Sequence, residues 1–296
     1  MLAALLLAAA VPAAEQRALD WLVSHVPAWP RDNRCFSCHH NGDGARALFA
    51  ARRLGREVPA SAVESTTGWL RRPAQWDTLP GEAAFSDKRL ARIQFAAALA
   101  DAVEAGATAE RAALLEAARS LIPLQHRDGY WPLEGGDLLP SPATWGHALA
   151  AHFASLVLRR ADSKQFREPI QRAERWLAAL KLSSVPDAAA VVFGLGPAAR
   201  PDAVDLLIRA QGGSGGWGPY PNSPPEPFDT ALALLALRYL DNRGDVGARV
   251  ERGRAWLVSA QLPDGAWPET TRPAGGQSYA QRASTTAWAT LALLVR

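Results

Sequence analysis

The chain has 296 residues, of which 48% are hydrophobic and 21% are charged, so it can bury a large core. This composition excludes a disordered chain and a small disulfide-bonded protein. Thirty-two Lys and Arg residues against 29 Asp and Glu residues leave a net charge of only +3, and the basic residues are spread along the sequence. The sequence therefore predicts a globular protein that does not have nucleic acid as a partner.

The first residues, from Met1 to Val11, form an apolar stretch that is too short to span a bilayer, and small residues follow it before Glu15. Val11 and Ala13 fit the small-residue rule for cleavage after residue 13. The pattern predicts a signal peptide over residues 1–13 and a periplasmic or secreted protein; a buried N-terminal helix is the alternative. No later stretch reaches about 18 uninterrupted apolar residues, which predicts a mature chain without a transmembrane segment.

The two cysteines of the chain lie in the segment Cys35-Phe-Ser-Cys38-His39. Cys-x-x-Cys-His in an exported protein is the attachment signature of c-type haem, in which two thiols bond to the vinyl groups and the adjacent histidine binds the iron. A structural disulfide, a thioredoxin-like redox pair and half of a zinc site are the alternatives. The sequence has no second set of zinc ligands at a suitable spacing and no strand before the motif. It therefore predicts one covalent haem c on Cys35 and Cys38, with His39 as the proximal iron ligand.

A repeat dominates the rest of the sequence. Three segments, which begin at Gln125, Gln211 and Gln261, share the pattern Gln-x3-Gly-x-Trp. Residues 21–30 and 256–268 also match each other, with Trp-Leu-Val-Ser at the start and Trp-Pro at the end. Each copy lies between two helical patterns, the first mixed apolar and charged and the second apolar on nearly every face. The repeating unit is therefore a helix pair.

The repeat predicts six helix pairs, at about residues 15–56, 60–106, 109–161, 167–196, 201–242 and 248–296. A helix that is apolar on every face is enclosed by other helices. Six enclosed helices surrounded by six amphipathic ones close into a ring, and long period-2 runs of β-branched residues, typical of strands, are missing from the sequence. We therefore predict an all-α fold with a single (α/α)6 toroid over residues 14–296.

The fullest copy, Arg252-Gly-x2-Trp256-Leu-x3-Gln261-x2-Asp-Gly265-x-Trp267, resembles the Gln-Trp motif of the terpenoid cyclase and protein prenyltransferase superfamily. The resemblance covers most of the chain and is weak before residue 109. It implies a toroid like that of squalene–hopene cyclases, with a central cavity. It also implies that the Gln and Trp of each motif are structural, at the loop between the outer and the inner helix.

The residues that carry chemistry in that superfamily are missing from this sequence. Hopene-type cyclases protonate an alkene with the middle Asp of Asp-x-Asp-Asp, because so weak a base needs a strong and preorganised acid. No Asp-x-Asp is present here, and the Asp-x-Cys zinc pair of prenyltransferase β-subunits is missing too. Asp187 and Asp229 stand at the starts of predicted inner helices, where Asp most often caps the backbone. The sequence therefore leaves open whether the protein is an enzyme.

The tryptophans give little support to an aromatic cavity. Most of the eleven Trp residues fall at positions of the repeat on outer helices or in loops. Trp145 and Trp288 are the two that we place on inner helices, and we expect no aromatic cage from them.

The second axial position of the predicted haem calls for a histidine, because the single methionine is the first residue of the chain. His147 stands near the start of the third inner helix, and alanines at i+3, i+4 and i+7 leave room beside it for a flat macrocycle. We therefore predict His147 as an iron ligand together with His39. His25, His126 and an open position are the alternatives.

The predicted function follows from the haem motif at the mouth of the cavity. It is that of an exported c-type haem protein on a terpenoid-cyclase-like scaffold, which carries out electron transfer or redox chemistry with an unidentified redox partner. The alternative is a toroid without redox activity that binds an isoprenoid lipid or acts on it as a cyclase or prenyltransferase. Both hypotheses allow a hydrophobic small molecule in the cavity.

Overall fold

The computed structural model describes residues 2–77, 87–240 and 245–295, with side chains from residue 10 onward. In these ranges no strand forms, and Gln211 and Trp217 meet in one isolated β-bridge. A π-helix at Cys38–Gly44 leads directly into α2 and forms one helical unit with it. The α-helices in chain order are α1 (Leu2–Asn33), α2 (Ala45–Arg53), α3 (Glu64–Leu70), α4 (Lys88–Glu104), α5 (Arg111–Leu121), α6 (Gly146–Asp162), α7 (Arg167–Ala179), α8 (Val185–Leu195), α9 (Pro201–Ala210), α10 (Pro227–Leu237), α11 (Val246–Ala260) and α12 (Tyr279–Leu294).

The helices alternate between an inner and an outer ring. The inner ring consists of the even-numbered helices, each of which packs against the next one along the chain. The ring closes because α12 packs against both the π-helix and α2. The odd-numbered helices lie outside, and each packs against its inner partner, as α5 does against α6 and α7 against α8. The predicted all-α fold with an (α/α)6 toroid is confirmed.

Burial follows the same division between the rings. The outer helix α7 buries one face, formed by Pro169, Ile170, Ala173 and Leu177, and exposes much of the other. The inner helix α12 is buried at every position from Ala283 to Leu294. An inner helix therefore has no solvent face, which explains why its sequence is apolar almost all round.

The three loops with the Gln-x3-Gly-x-Trp pattern share one hydrogen-bond geometry. The Gln amide donates to the Gly carbonyl of its own loop and to a carbonyl of the next outer helix, at 2.8 to 2.9 Å. The Trp indole donates to the carbonyl ten residues before it, at 2.7 to 2.8 Å. The predicted structural role of these residues is confirmed. The Gln and Trp pairs are Gln125 with Trp131, Gln211 with Trp217, and Gln261 with Trp267.

The third of these loops joins the two ends of the chain. Gln261 donates to the Ala14 carbonyl at 2.8 Å, and Arg17 donates back to Gln261 Oε1 at 2.5 Å. Gly265 has a φ of +92°, and a Cβ added to it would lie 2.4 Å from the Arg17 carbonyl oxygen. The helix α1 therefore docks on the last loop as the next outer helix of a closed ring.

Helix boundaries differ from the prediction at two places. The helix α1 runs without a break through the predicted cleavage point after residue 13, and Val11 and Glu15 are buried. The first helix of the second pair, predicted from residue 60, is the short α3. Some predicted parts lie outside the described residues: residue 1 of the signal peptide, and residues 78–86, 241–244 and 296 of the helix pairs. The signal peptide itself stays a prediction.

None of the described helices combines the length and the hydrophobicity that crossing a bilayer requires.

Candidate functional site

The Cys35–His39 segment enters the inner ring at the start of the π-helix. Cys35 and Cys38 are free thiols, both half-buried, and burial raises the pKa of the Cys38 thiol to about 12. Between them, Phe36 stacks on Trp69 with ring centroids 4.7 Å apart. Ser37 caps the π-helix, because its hydroxyl accepts hydrogen bonds from the backbone N–H groups of the next two histidines at 3.1 and 3.4 Å. The segment is therefore anchored at one end of the ring, as its position in the repeat predicts.

Asp43, near the end of the π-helix, is fully buried among inner helices. Its Oδ2 accepts a hydrogen bond from the Ser284 hydroxyl of α12 at 2.6 Å and from Gln94 Nε2 of α4 at 3.3 Å. Its Oδ1 accepts none from the described residues and lies 3.8 Å from Arg46 Nη1. Burial raises the pKa of Asp43 to about 6, although Arg46 and the hydrogen bond from Ser284 act to lower it. The carboxyl can therefore hold a proton near neutral pH.

Arg46 lies over an aromatic cluster in the middle of the ring. Its guanidinium carbon is 4.3 Å from the centroid of Phe153 and 5.1 Å from that of Trp288, which is a cation–π geometry. Trp145 and Phe228 meet Trp288, each with ring centroids 5.8 Å apart. Trp145 and Trp288 are both fully buried and meet across the ring, but Trp145 does not line the cavity described below. The expectation that the two form no aromatic cage stays a prediction.

Arg46, Phe153 and Trp288 also border a central cavity of ≈ 130 Å³. This cavity lies towards the carboxyl ends of the inner helices, where Arg46 pairs with Asp101 at 3.0 Å. The other residues that line it are Ala50, Arg53, His152, Leu156, Arg160, Phe193, Leu235, Arg238, Tyr239, Leu291 and Val295. The cavity is thus part aromatic and part charged. Asp43 does not line it, but its Oδ1 lies 3.8 Å from Nη1 of Arg46, which does.

A second buried carboxyl, Asp229, lies at the start of α10. The prediction that it caps the helix is wrong, because α10 begins at Pro227 and Asp229 accepts a hydrogen bond from the side chain of Arg272 at 2.8 Å. Arg272 also pairs with Glu226, and burial, with Glu226 nearby, raises the pKa of Asp229 far above its usual range. Asp187 is not the cap of α8 either: Ser184 is the N-cap, because its hydroxyl accepts from the Asp187 backbone N–H at 3.2 Å, and the Asp187 carboxylate accepts in turn from the Ser183 and Ser184 hydroxyls.

The segment Glu226-Pro-Phe228-Asp229 carries carboxylates at the first and fourth positions of an Asp-x-Asp-Asp pattern. Phe228 stands at the third position, where the cyclases that the sequence resembles carry their acid. Its ring packs in the aromatic cluster against Trp288. The segment therefore does not reproduce the Asp-x-Asp-Asp pattern.

His147 lies away from the Cys35–His39 segment, in a groove between the starts of α6 and α8. Its ring packs on Tyr130 with centroids 4.8 Å apart, and its Nδ1 is 3.5 Å from Asp137 Oδ1. No contact in the described part of the chain joins His147 to His39. The structure therefore does not bring together the two residues that we predict as iron ligands, and their ligand roles stay a prediction.

The alternative ligands occupy separate places as well. His25 stacks on Trp21 with centroids 3.8 Å apart, and its Nδ1 hydrogen-bonds the Trp21 carbonyl at 2.7 Å. His126 lies in a Gln-Trp loop beside Asp128. Within residues 2–77, 87–240 and 245–295, no group of three or more His, Cys, Asp and Glu side chains is arranged to hold a metal ion.

Comparison with known proteins places this architecture among terpene cyclases. The structure of the type II terpene cyclase MstE from Scytonema superposes with a TM-score of 0.62 at 15% sequence identity, over 96% of this chain and 97% of that one. A crystal structure of a protein from Actinoplanes has a TM-score of 0.61 at 17% identity, over 96% and 98% of the two chains. The fold is terpenoid-cyclase-like. No family model matches the chain.

Two comparisons reach larger proteins. The ent-copalyl diphosphate synthase from Streptomyces platensis has a TM-score of 0.52 at 23% identity, and the match covers 86% of this chain and 50% of that one. The drimenyl diphosphate synthase from Streptomyces showdoensis is 38% identical over 69 residues, which are 23% of this chain and 13% of that protein. The chain thus matches only a small part of that curated relative.

The predicted haem-based electron transfer is wrong as the function of this protein. Its structural neighbours are terpene cyclases, and they favour the alternative, an isoprenoid-binding or cyclase-like toroid. The Cys-x-x-Cys-His spacing is a local pattern, whereas in the structure His39 belongs to the hydrogen-bond system of Ser284 on α12. Covalent haem on Cys35 and Cys38, and export, stay predictions.

The buried polar residues around Asp43 form no motif in the sequence. Asp43, Arg46, Gln94 and Ser284 belong to three inner helical units, so their meeting depends on tertiary packing. A partial signal was present, because Arg46 and Gln94 stand next to apolar residues of inner helices, whereas Asp43 lies in the polar segment Cys38–Gly44. Polar residues on an enclosed helix must find partners inside the ring.

Proposed function

We propose that the protein binds a short isoprenoid chain in the central cavity and carries out an acid-initiated reaction of the terpene cyclase type on it, with Asp43 as the proton donor. The observation that carries this proposal is the position of Asp43, a buried carboxyl whose Oδ1 accepts no hydrogen bond from the described residues and lies 3.8 Å from Arg46, a residue of the cavity wall. The terpenoid-cyclase-like fold supports it. One solved neighbour is a variant of the type II terpene cyclase MstE in complex with its substrate, geranylgeranyl dihydroxybenzoate.

In the proposed reaction, the proton on Asp43 moves to a carbon of the terminal alkene. The π electrons of that alkene form the new C–H bond, which leaves a carbocation on the neighbouring carbon and a carboxylate on Asp43. A second alkene of the same chain then attacks the cation and closes a ring. Loss of a proton to water ends the reaction, and Asp43 is protonated again from solvent.

The surroundings of Asp43 suit such a step. The rings of Phe153 and Trp288 border the cavity, and the Arg46 guanidinium at 4.3 and 5.1 Å from their centroids shows that they can hold a cation. A carbocation would use the parts of these rings that Arg46 does not cover. After proton transfer, Arg46 and Ser284 stabilise the new carboxylate. The acid and the stabilising groups are thus in place before substrate arrives.

The cavity limits the size of the reacting group. A cavity of about 150 Å³ in another protein admits benzene, and the central cavity here measures ≈ 130 Å³. One isoprene unit therefore fits beside Asp43, while the rest of the chain extends towards the mouth. There Arg238 is suited to an anionic or polar end group of the substrate, whereas the neighbouring Arg53 already pairs with Glu104 at 2.6 Å.

The test is to incubate the purified protein with geranyl, farnesyl and geranylgeranyl alcohols and diphosphates, and to analyse the products by gas chromatography and mass spectrometry. Cyclised products are expected with the unmodified protein, and Asp43→Asn should lower their rate by about 100-fold or more, as for loss of a general acid. The rate should fall as the pH rises through about 6, because only the protonated carboxyl can donate.

Asp229→Asn is the matched control, because it changes a second buried carboxyl that pairs with Arg272 and not with the cavity-lining Arg46. We expect this variant to retain turnover. Loss of products in Asp229→Asn with full activity in Asp43→Asn would place the acid at Asp229 and refute the proposal. Absence of any product with all six compounds would refute it as well.

A further inference from the structure

Asp43 stands at the end of a chain of two hydrogen bonds that begins at His39. His39 Nδ1 lies 2.9 Å from Ser284 Oγ, and the Ser284 hydroxyl donates to Asp43 Oδ2 at 2.6 Å. Gln94 Nε2 donates to the same oxygen at 3.3 Å. Asp43 Oδ1 lies 3.8 Å from Arg46 Nη1 and accepts no well-aligned hydrogen bond from the described residues, although the Trp288 indole N–H is near enough to help lower the pKa of the carboxyl. The two oxygens of this carboxyl therefore have different surroundings.

We propose that His39 and Ser284 are positioning residues that keep the acidic proton of Asp43 on Oδ1, the oxygen next to the cavity-lining Arg46. The inference rests on the proposed role of Asp43 as proton donor. A neutral His39 with its proton on Nδ1 donates to Ser284 Oγ. Ser284 has a single hydroxyl proton. Because its oxygen accepts the hydrogen bond from His39, this proton is free to point at Asp43 Oδ2.

Two donors on Oδ2 make that oxygen the carbonyl side of the protonated carboxyl. The acidic proton then occupies Oδ1, which lies 3.8 Å from Arg46 Nη1, and Arg46 lines the cavity. When the proton leaves Oδ1, Ser284 and Gln94 stabilise the carboxylate through Oδ2, and Arg46 stabilises it through Oδ1. The hydrogen bonds from His39 through Ser284 to Asp43 thus direct the acidic proton towards substrate. They also make Asp43 a stronger acid than burial alone would leave it.

The same heavy-atom positions allow the opposite direction, in which Asp43 donates from Oδ2 to Ser284 and Ser284 donates to His39. The carbonyl stretching band of the protonated carboxyl distinguishes the two, because a hydrogen bond to the carbonyl oxygen lowers its frequency. The band is assigned by its loss in Asp43→Asn. Spectra are recorded at about pH 5, where Asp43 with its pKa of about 6 is mostly protonated.

Three variants test the proposal. Ser284→Ala removes the donor to Oδ2, His39→Leu removes the donor to Ser284, and His39→Gln keeps an N–H that can donate to Ser284. We expect the carbonyl band to shift to higher frequency in Ser284→Ala and His39→Leu and to stay near its original position in His39→Gln. With an active substrate, kcat should fall by about 10- to 100-fold in the first two variants, as for loss of a hydrogen bond to a charged group, while KM changes little.

Each outcome of the infrared and kinetic measurements either supports or overturns the proposed role of His39 and Ser284. A band at the frequency of a free carbonyl in the unmodified protein, or one that Ser284→Ala does not move, overturns the proposal. Equal effects of His39→Gln and His39→Leu overturn the role of His39. Because the infrared measurement needs no turnover, the expected band shifts without any cyclised product would refute the proposed function and leave the hydrogen-bond chain standing. Circular dichroism of each variant confirms that it is folded, and His39→Leu replaces Ser284→Ala as the primary test if the latter is not.

Discussion

Gly265→Ala should destabilise the protein more than an alanine at any open glycine with a similar backbone, because Gly265 lies where the ring closes. Its φ of +92° costs an alanine about 1 to 2 kcal/mol. In addition, the new Cβ would lie 2.4 Å from the Arg17 carbonyl oxygen, so α1 has to move away from the loop. That movement breaks the hydrogen bonds of Gln261 with Ala14 and Arg17, at about 1 kcal/mol each.

The sum is a loss of about 3 to 4 kcal/mol in the free energy of unfolding, measured by urea denaturation. Gly275→Ala is the matched control, since Gly275 has a φ of +84° and no atom within 4 Å of an added Cβ. Gly275→Ala should lower the free energy of unfolding only by the cost of the positive φ, about 1 to 2 kcal/mol. Equal losses in the two variants would refute the idea that close packing of α1 against the last loop closes the ring.

Three further outcomes follow from the buried charges and the cavity. Arg272→Met should cost about 3 to 5 kcal/mol of unfolding free energy, because Asp229 and Glu226 lose their shared counter-charge; adding Asp229→Asn should recover part of the loss in urea denaturation. Burial lowers the pKa of His40 from 6.5 to about 3. Between these two pH values the imidazole is protonated in the unfolded chain and neutral in the folded one. Thermal stability should therefore fall as the pH drops from 6.5 towards 4, and His40→Phe should weaken this dependence. Squalene should yield no cyclised product by gas chromatography, because this hydrocarbon has no polar or anionic end group for the arginine at the mouth of the cavity to bind.

The repeat made the architecture predictable from the sequence. The Gln-x3-Gly-x-Trp spacing identifies the loops because each of its members has one fixed role in the loop geometry. The match between residues 21–30 and 256–268 also anticipates ring closure, since α1 is the outer helix that Gln261 binds. Where the motif is weak, before residue 109, the prediction of boundaries is weaker too, and α3 is shorter than expected.

The site was less predictable, because its parts are far apart along the chain. Asp43 and Ser284 are separated by 241 residues, and their hydrogen bond depends on the rotation of two inner helices about their axes. A short motif gives no information of that kind. The Cys-x-x-Cys-His motif lies at the same end of the first inner helical unit as Asp43. The function it predicts, electron transfer, is the one that the structural neighbours contradict.

The polar centre of the ring should cost stability, which is the strongest physical sign that it serves a function. Burial raises the pKa of Asp43 from 3.8 to about 6. The folded protein therefore binds a proton more tightly than the unfolded chain does, and the stability from this group is present below about pH 4 and lost as the pH rises through 6. Above pH 7 the ionised carboxyl should cost about 3 kcal/mol, at 1.36 kcal/mol for each pH unit between the two pKa values.

Asp43→Asn should remove that cost while its amide oxygen still accepts from Ser284 and Gln94. We expect the variant to be more stable than the unmodified protein at about pH 7.5 by up to about 3 kcal/mol, and equally stable at about pH 4, by urea denaturation. If the variant is instead less stable at both pH values, Asp43 is a structural residue. A gain in stability together with loss of turnover would be the behaviour of an acid that is retained for its chemistry.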